Sequence, residues 1–131
     1  MNDKANVKVA NSGDLLGVWQ LDSNVAKGVI RDMGGISNFN EISAVNSLMR
    51  PACLANKSPK KFGDRKNGVE SCYIPEVIQY CLGKTYGLPL FQEAAMQVSM
   101  SLANFDKIEG YKFMKLLYKG KMTSDLVPYW K

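Results

Sequence analysis

The side chains best suited to chemistry in this chain are cations, and they are clustered. Of 17 basic residues, six (Arg50, Lys57, Lys60, Lys61, Arg65 and Lys66) fall within residues 50–66, and five (Lys107, Lys112, Lys115, Lys119 and Lys121) within residues 107–121. Only Asp64 and Glu109 oppose them there. Such clustering suits a polyanion, because each phosphate that is neutralised releases condensed counterions. A solvating basic surface would have the same composition, so charge alone leaves both readings open.

Residue types for catalysis are harder to find. The 12 acidic residues are scattered and form no Asp-x-Asp or comparable pair, whereas two-metal phosphoryl transfer needs convergent carboxylates. Histidine is absent, which excludes Ser/His/Asp and Cys/His arrangements. Gly34-Gly35 lacks the spacing of a phosphate-binding glycine loop. Cys53, Cys72 and Cys81 are odd in number and fit no metal spacing. Cys72 and Cys81 could pair, but without an export signal reduced thiols packed as small apolar groups are expected. No catalytic residue and no metal ligand is assigned, and the chain is expected to bind no cofactor itself. No apolar run approaches the roughly 20 residues that span a bilayer, and the polar start Met1-Asn-Asp-Lys-Ala-Asn is unlike a signal peptide. A cytoplasmic location with no membrane partner follows.

The elements that must carry these cations read as helices. The 131 residues, 46% hydrophobic, suit one ordinary domain. Residues 1–13 read as a flexible arm with a short strand at Val7–Val9, residues 14–121 as a helical domain, and residues 122–131 as a tail or the start of a further helix. Tyr129 and Trp130 in that tail need a packing surface. Asp22 or Ser23 caps a helix to about Met33, with Val25, Val29 and Ile30 facing inward and Gly34-Gly35 closing it. Ser37 or Asn38 starts a second helix, with Glu41 placed as in a capping box. Phe39, Ile42, Val45, Leu48 and Met49 recur along it at helical spacing, and Pro51 ends it. Residues 51–72 read as a loop with at most a helical turn around Lys60–Arg65. Pro75 opens a third helix that Gly83 closes. Phe91–Ala103 forms a fourth, apolar over most of its circumference and so expected to be buried, with Met96 and Met100 filling the core. Asp106 caps a fifth, with Lys112, Lys115 and Lys119 on one side and Phe113, Met114 and Leu117 on the other. The predicted fold class is mainly α: a small domain of about five helices, with at most a short strand near the N-terminus.

Three stretches, in order, resemble the bacterial C-family replicative polymerase, the DNA polymerase III alpha subunit. Gly17-Val18-Trp19-Gln20-Leu21-Asp22-Ser23 is similar to that family's G-[VI]-F-Q-L-E-S. Ala44-Val45-Asn46-Ser47-Leu48-Met49-Arg50-Pro51 is similar to A-L-[VA]-A-L-[YF]-R-P. Thr85-Tyr86-Gly87-Leu88-Pro89-Leu90-Phe91-Gln92-Glu93-Ala94-Ala95-Met96-Gln97 is similar to T-Y-G-[IV]-[IM]-[VL]-Y-Q-E-Q-V-M-Q. Between them, Phe62-Gly63-Asp64-Arg65-Lys66-Asn67-Gly68 sits where the family has F-I-x-R-K-H-G. Beyond them, Leu102-Ala103-Asn104-Phe105 answers L-A-G-Y, and Lys115 to Lys121 answers a basic R-R-A-M-G-K-K. The resemblance covers about residues 14–121.

The matching region of that family begins its fingers; its palm, with the metal-binding aspartates, lies N-terminal. The resemblance implies that Arg50, Arg65, Lys66, Lys115 and Lys119 face the triphosphate of an incoming nucleotide (dNTP) and primer-template DNA. It also implies that Mg²⁺ and catalysis belong to a palm-containing partner chain. The departures are specific. Arg-Pro-Gly-Pro is Arg50-Pro51-Ala52-Cys53, the family's histidine is Asn67, and the double arginine is reduced to Lys115, which lacks the planar bidentate fork. They mark a divergent copy of the kind a phage carries. A stand-alone, non-catalytic binding protein that mimics the polymerase is the alternative.

Overall fold

The structure, a computed structural model, describes residues 4–118, and the regular elements among these are all helical: eight α-helices and a short 3₁₀ turn at Gly83–Thr85, with no strand. The chain divides into two units. The first comprises Met1–Tyr73 with Lys84–Leu88, the second Ile74–Gly83 with Pro89–Lys131.

In the first unit, α1 (Lys4–Asn11) replaces the strand expected at Val7–Val9. A lone strand would leave its backbone groups without partners, whereas a helix bonds them within itself. The Asn11 side chain then bonds both backbone groups of Ile36, accepting from its N–H at 2.7 Å and donating to its carbonyl at 2.8 Å. Helix α2 (Asn24–Asp32) starts as expected, with Ser23 Oγ accepting from the Ala26 N–H at 3.1 Å. Its inner stripe is Ala26, Val29 and Ile30; Val25, expected inward, is half exposed. The closer i, i+3, i+4 set wins because the small Ala26 lets the helix approach its neighbours. Gly34 and Gly35, both at positive φ, turn the chain out of α2.

Helix α3 (Phe39–Leu48) is capped by Asn38, whose Oδ1 accepts from the Glu41 N–H at 3.3 Å. Ala44, Val45 and Leu48 are buried, but Phe39 is exposed and lines an apolar groove of about 410 Å³ with Val9, Trp19 and Ile42. The expected loop at 51–72 instead contains α4 (Pro51–Ala55) and α5 (Ser58–Lys66). Both begin with a proline in the first turn, where its missing N–H and fixed φ cost nothing. Their brevity and polar composition hide the periodicity: α5 buries only Pro59, Phe62 and Gly63.

Gly63 explains how α5 meets α2. A Cβ there would lie 2.6 Å from the Asp32 carbonyl oxygen and 2.8 Å from the Met33 carbonyl carbon, both backbone atoms that cannot swing aside.

The second unit holds α6 (Glu76–Leu82), α7 (Gln92–Ala103) and α8 (Lys107–Tyr118). Pro75, predicted as the first helical residue, is instead the N-cap of α6, one position before its start at Glu76. Ile78, Leu82 and Ala94 form a small core, flanked by Ile74, Cys81, Phe91 and Val98. Helix α7 is less buried than its composition suggests: Ala94 and Ser99 are covered, while Leu102 is mostly exposed. Its Met96 and Met100 fill space as expected, closing over Gly110 of α8. Asp106 and Glu109 form a reciprocal cap, Asp106 Oδ1 accepting from Glu109 N–H at 2.8 Å and Glu109 Oε2 from Asp106 N–H at 3.1 Å. Cys53, Cys72 and Cys81 are free thiols, each partly buried. No helix among the described residues is long and apolar enough to cross a membrane. The expectations for residues 122–131, Tyr129 and Trp130 included, lie outside the described residues.

Gly63→Ala is expected to destabilise the protein by about 1–3 kcal/mol through overpacking. Backbone contacts at 2.6 and 2.8 Å put the cost in the upper part of that range, above the roughly 1 kcal/mol by which alanine improves a helix interior. Urea unfolding reads the sum, and an unchanged or raised midpoint would show that the α2–α5 approach is not tight.

Candidate nucleic-acid interface

The five cations singled out by the resemblance are placed in different settings. Lys66 is 8% exposed at the end of α5, and its Nζ donates to Glu41 Oε2 at 2.7 Å and to the Gly35 carbonyl at 2.8 Å. Its neighbour Arg65 is largely covered; Nε donates to Glu70 Oε1 at 2.8 Å and Nη1 to the Tyr86 carbonyl at 3.0 Å. Arg50 is the N-cap of α4 and is exposed. Lys115 is exposed on α8, in the second unit, with Nζ 4.5 Å from the centre of the Tyr111 ring. Lys119 lies outside the described residues. Arg65 and Lys66 thus share one internal network, while Arg50 and Lys115 present charge to solvent.

The centre of that network is Glu41, which sequence reasoning assigned only to a helix cap. It is 2% exposed. Its Oε2 accepts from the Ser37 N–H at 2.8 Å and from Lys66, and its Oε1 from Asn38 Nδ2 at 3.1 Å, with the Tyr86 hydroxyl further off at 3.5 Å. A buried carboxylate needs this density of donors, because an unpaired charge in the interior costs several kcal/mol. Tyr86 belongs to the Thr85-Tyr86-Gly87 turn, where Thr85 Oγ1 donates to the Leu88 carbonyl at 2.6 Å. The Tyr86 backbone is left-handed (φ 52°), and its ring stands edge-on to the fully buried Phe62, with centroids 4.9 Å apart. Burial first, then the nearby Glu41 charge and hydrogen bond, raise the Tyr86 phenol above its ordinary pKa of 10.0. The motif that carried Tyr86 was legible in the sequence; its partners Glu41 and Phe62 were not.

Exposed cations are available on both units. Lys57, Lys60 and Lys61 lie exposed at the start of α5. Lys60 pairs with Asp64 at 3.0 Å, a solvent-screened contact worth about 0.3–0.5 kcal/mol. On α8, Lys112 and Lys115 are exposed while Met114 is buried and Phe113 packs edge-on to Phe105 at 5.7 Å. The two sides predicted for this helix are therefore present as far as the described residues reach. Five of the acids are engaged within the fold: Glu41, Asp64 and Glu70 hold basic side chains, and Asp106 and Glu109 cap α8. Among the described residues no three His, Cys, Asp or Glu side chains converge.

Fold and charge together define a helical module with exposed lysine faces, its first unit clamped by a buried ion pair. The chain belongs to the bacterial DNA polymerase III alpha subunit finger domain family, whose model matches residues 1–129. It is 29% identical over 126 residues to the DNA polymerase III subunit alpha of Mycobacterium tuberculosis, covering 92% of this chain and 11% of that protein. Over 106 residues it is 31% identical to the corresponding subunit of Helicobacter pylori, covering 80% of this chain and 9% of that protein. An error-prone DNA polymerase of Brucella abortus matches at 28% over 124 residues, 88% of this chain and 11% of that protein. The chain thus spans about a tenth of the length of these relatives.

Two outcomes test the network. Lys66→Met leaves Glu41 buried without its counter-ion and is expected to cost about 3–5 kcal/mol in denaturant unfolding; a loss under about 1 kcal/mol would show the pair to be dispensable. Tyr86→Phe tests the phenol. Its raised pKa means the folded state resists deprotonation, so the stabilisation is complete below the ordinary value of 10.0 and is lost as pH rises through the raised one. The stability gap between wild type and Tyr86→Phe should hold steady at neutral pH and narrow above pH 10.0. A gap that widens there would contradict the assignment.

Proposed function

We propose that this chain is the fingers part of a DNA polymerase III alpha-like DNA-directed DNA polymerase, acting in the cytoplasm on incoming nucleoside triphosphate and primer-template DNA. Catalysis depends on a palm carried outside these residues. The observation that supports this most is the family match across residues 1–129. The chemistry is consistent with it. Fingers need cations that meet phosphate charge, and they need those cations on elements that do not yield. In this reading Arg50, Lys115 and Lys119 meet phosphate oxygens directly. Arg65 and Lys66 serve the first unit by holding the end of α5 and the Tyr86 turn. Mg²⁺ belongs to the palm in this reading; of the acids here, Glu41, Asp64, Glu70, Asp106 and Glu109 are already engaged in pairs and caps.

Arg50→Ala combined with Lys115→Ala is expected to weaken binding to primer-template DNA and to reduce the slope of log affinity against log salt by about 0.9 for each phosphate that is no longer neutralised. Fluorescence anisotropy across a salt series measures both. Affinity that ignores salt would leave only a solubilising basic surface. Addition of a palm-bearing polymerase chain separates the remaining readings. Restored synthesis supports the fingers role, association without synthesis supports a non-catalytic mimic, and nucleotide incorporation by this chain alone overturns the proposal.

A further inference from the structure

The outward face of α8 is not purely cationic. On a helical wheel Ile108, Tyr111, Lys112 and Lys115 fall within one arc of about 100°. All four are exposed, Ile108 to 64% and Tyr111 to 47%. The packing side of α8 is the opposite one, with buried Met114, Phe113 against Phe105, and Gly110 beneath Met96 and Met100. The one acid within α8, Glu109, is turned back onto the Asp106 N–H.

We propose that Tyr111, flanked by Ile108, is a nucleobase-stacking platform on which single-stranded DNA lies while Lys112 and Lys115 hold its phosphates. This rests on the nucleic-acid reading above and adds the form of the ligand. An apolar protein partner would have to desolvate the lysines around a two-residue patch, whereas a strand of DNA supplies an anion for each lysine and a flat π-face for the ring. Duplex DNA cannot use the ring, because its bases already stack on each other. An unpaired base can, and such stacking tolerates any sequence. The Lys115 ammonium lies 4.5 Å from the Tyr111 centroid, so the cation that meets a phosphate stands beside the ring that meets the base.

The test uses the whole chain and oligo(dT) of about 12 nucleotides, within the range of single-strand site sizes. Tyr111→Ala should weaken binding about 5- to 100-fold without changing its salt slope. Tyr111→Phe, which keeps the ring, should bind as wild type. An abasic oligonucleotide of equal length should bind wild type as weakly as oligo(dT) binds Tyr111→Ala. Lys112→Ala with Lys115→Ala should instead flatten the salt slope. Circular dichroism checks that each variant keeps its helices. Equal binding of oligo(dT) by wild type and Tyr111→Ala, or of abasic and normal strands by wild type, overturns the platform while leaving nucleic-acid binding intact. No binding of any DNA by wild type removes both.

Discussion

The first unit depends on a charge that is expensive to bury. Glu41 sits almost wholly out of water and is tolerable there only because the Ser37 N–H, Asn38 Nδ2 and Lys66 Nζ all reach it within 3.1 Å. Those three donors come from the entry to α3 and the end of α5, so satisfying one carboxylate fixes two helices against each other. Lys66 also bonds Gly35, where the chain leaves α2. Replacing such a pair with apolar groups is often no less stable. What the pair supplies is geometry: hydrogen-bond direction specifies a register that apolar contact does not.

The segment Lys84–Leu88 is held by the same network. It belongs to the first unit although the chain on either side of it belongs to the second. Arg65 binds its backbone at the Tyr86 carbonyl, Phe62 meets the ring edge-on, and Glu41 lies near the hydroxyl. Tyr86 also takes a left-handed backbone that a residue with a Cβ adopts at some cost. Three partners on one turn offset that cost. The Thr-Tyr-Gly stretch of the sequence is therefore an anchoring point of the fold, with Arg65 and Glu41 as its fasteners.

Cations in this chain consequently do two kinds of work. Where they are covered, as at Arg65 and Lys66, they pair with carboxylates and donate to backbone carbonyls. Where they are exposed, as at Lys57, Lys61, Lys112 and Lys115, long flexible stems leave their charge to solvent or to a ligand. A count of lysines and arginines cannot separate the two classes. The difference lies in whether an acceptor from a distant part of the chain reaches them: Glu41 and Lys66 are 25 positions apart in sequence, the Tyr86 carbonyl and Arg65 21.

Local features were legible because their causes are local. The Ser23, Asn38 and Asp106 caps, the turn at Gly34-Gly35, the helices around them, and the two sides of α8 all follow from residues within a few positions of each other. The motifs that place the chain in its family were legible in the same way. The helices α1, α4 and α5 were missed because each is short or polar and draws its stability from what it packs on. Val25, Phe39 and Leu102 were expected inside because apolar spacing says which residues share a face, not how far a neighbour covers it. The amino-acid sequence by itself determined the helical character, the family and the stock of cations. Only the tertiary structure decided which cations are bound into the scaffold and which stand outside it, because that depends on long-range pairing of buried charge.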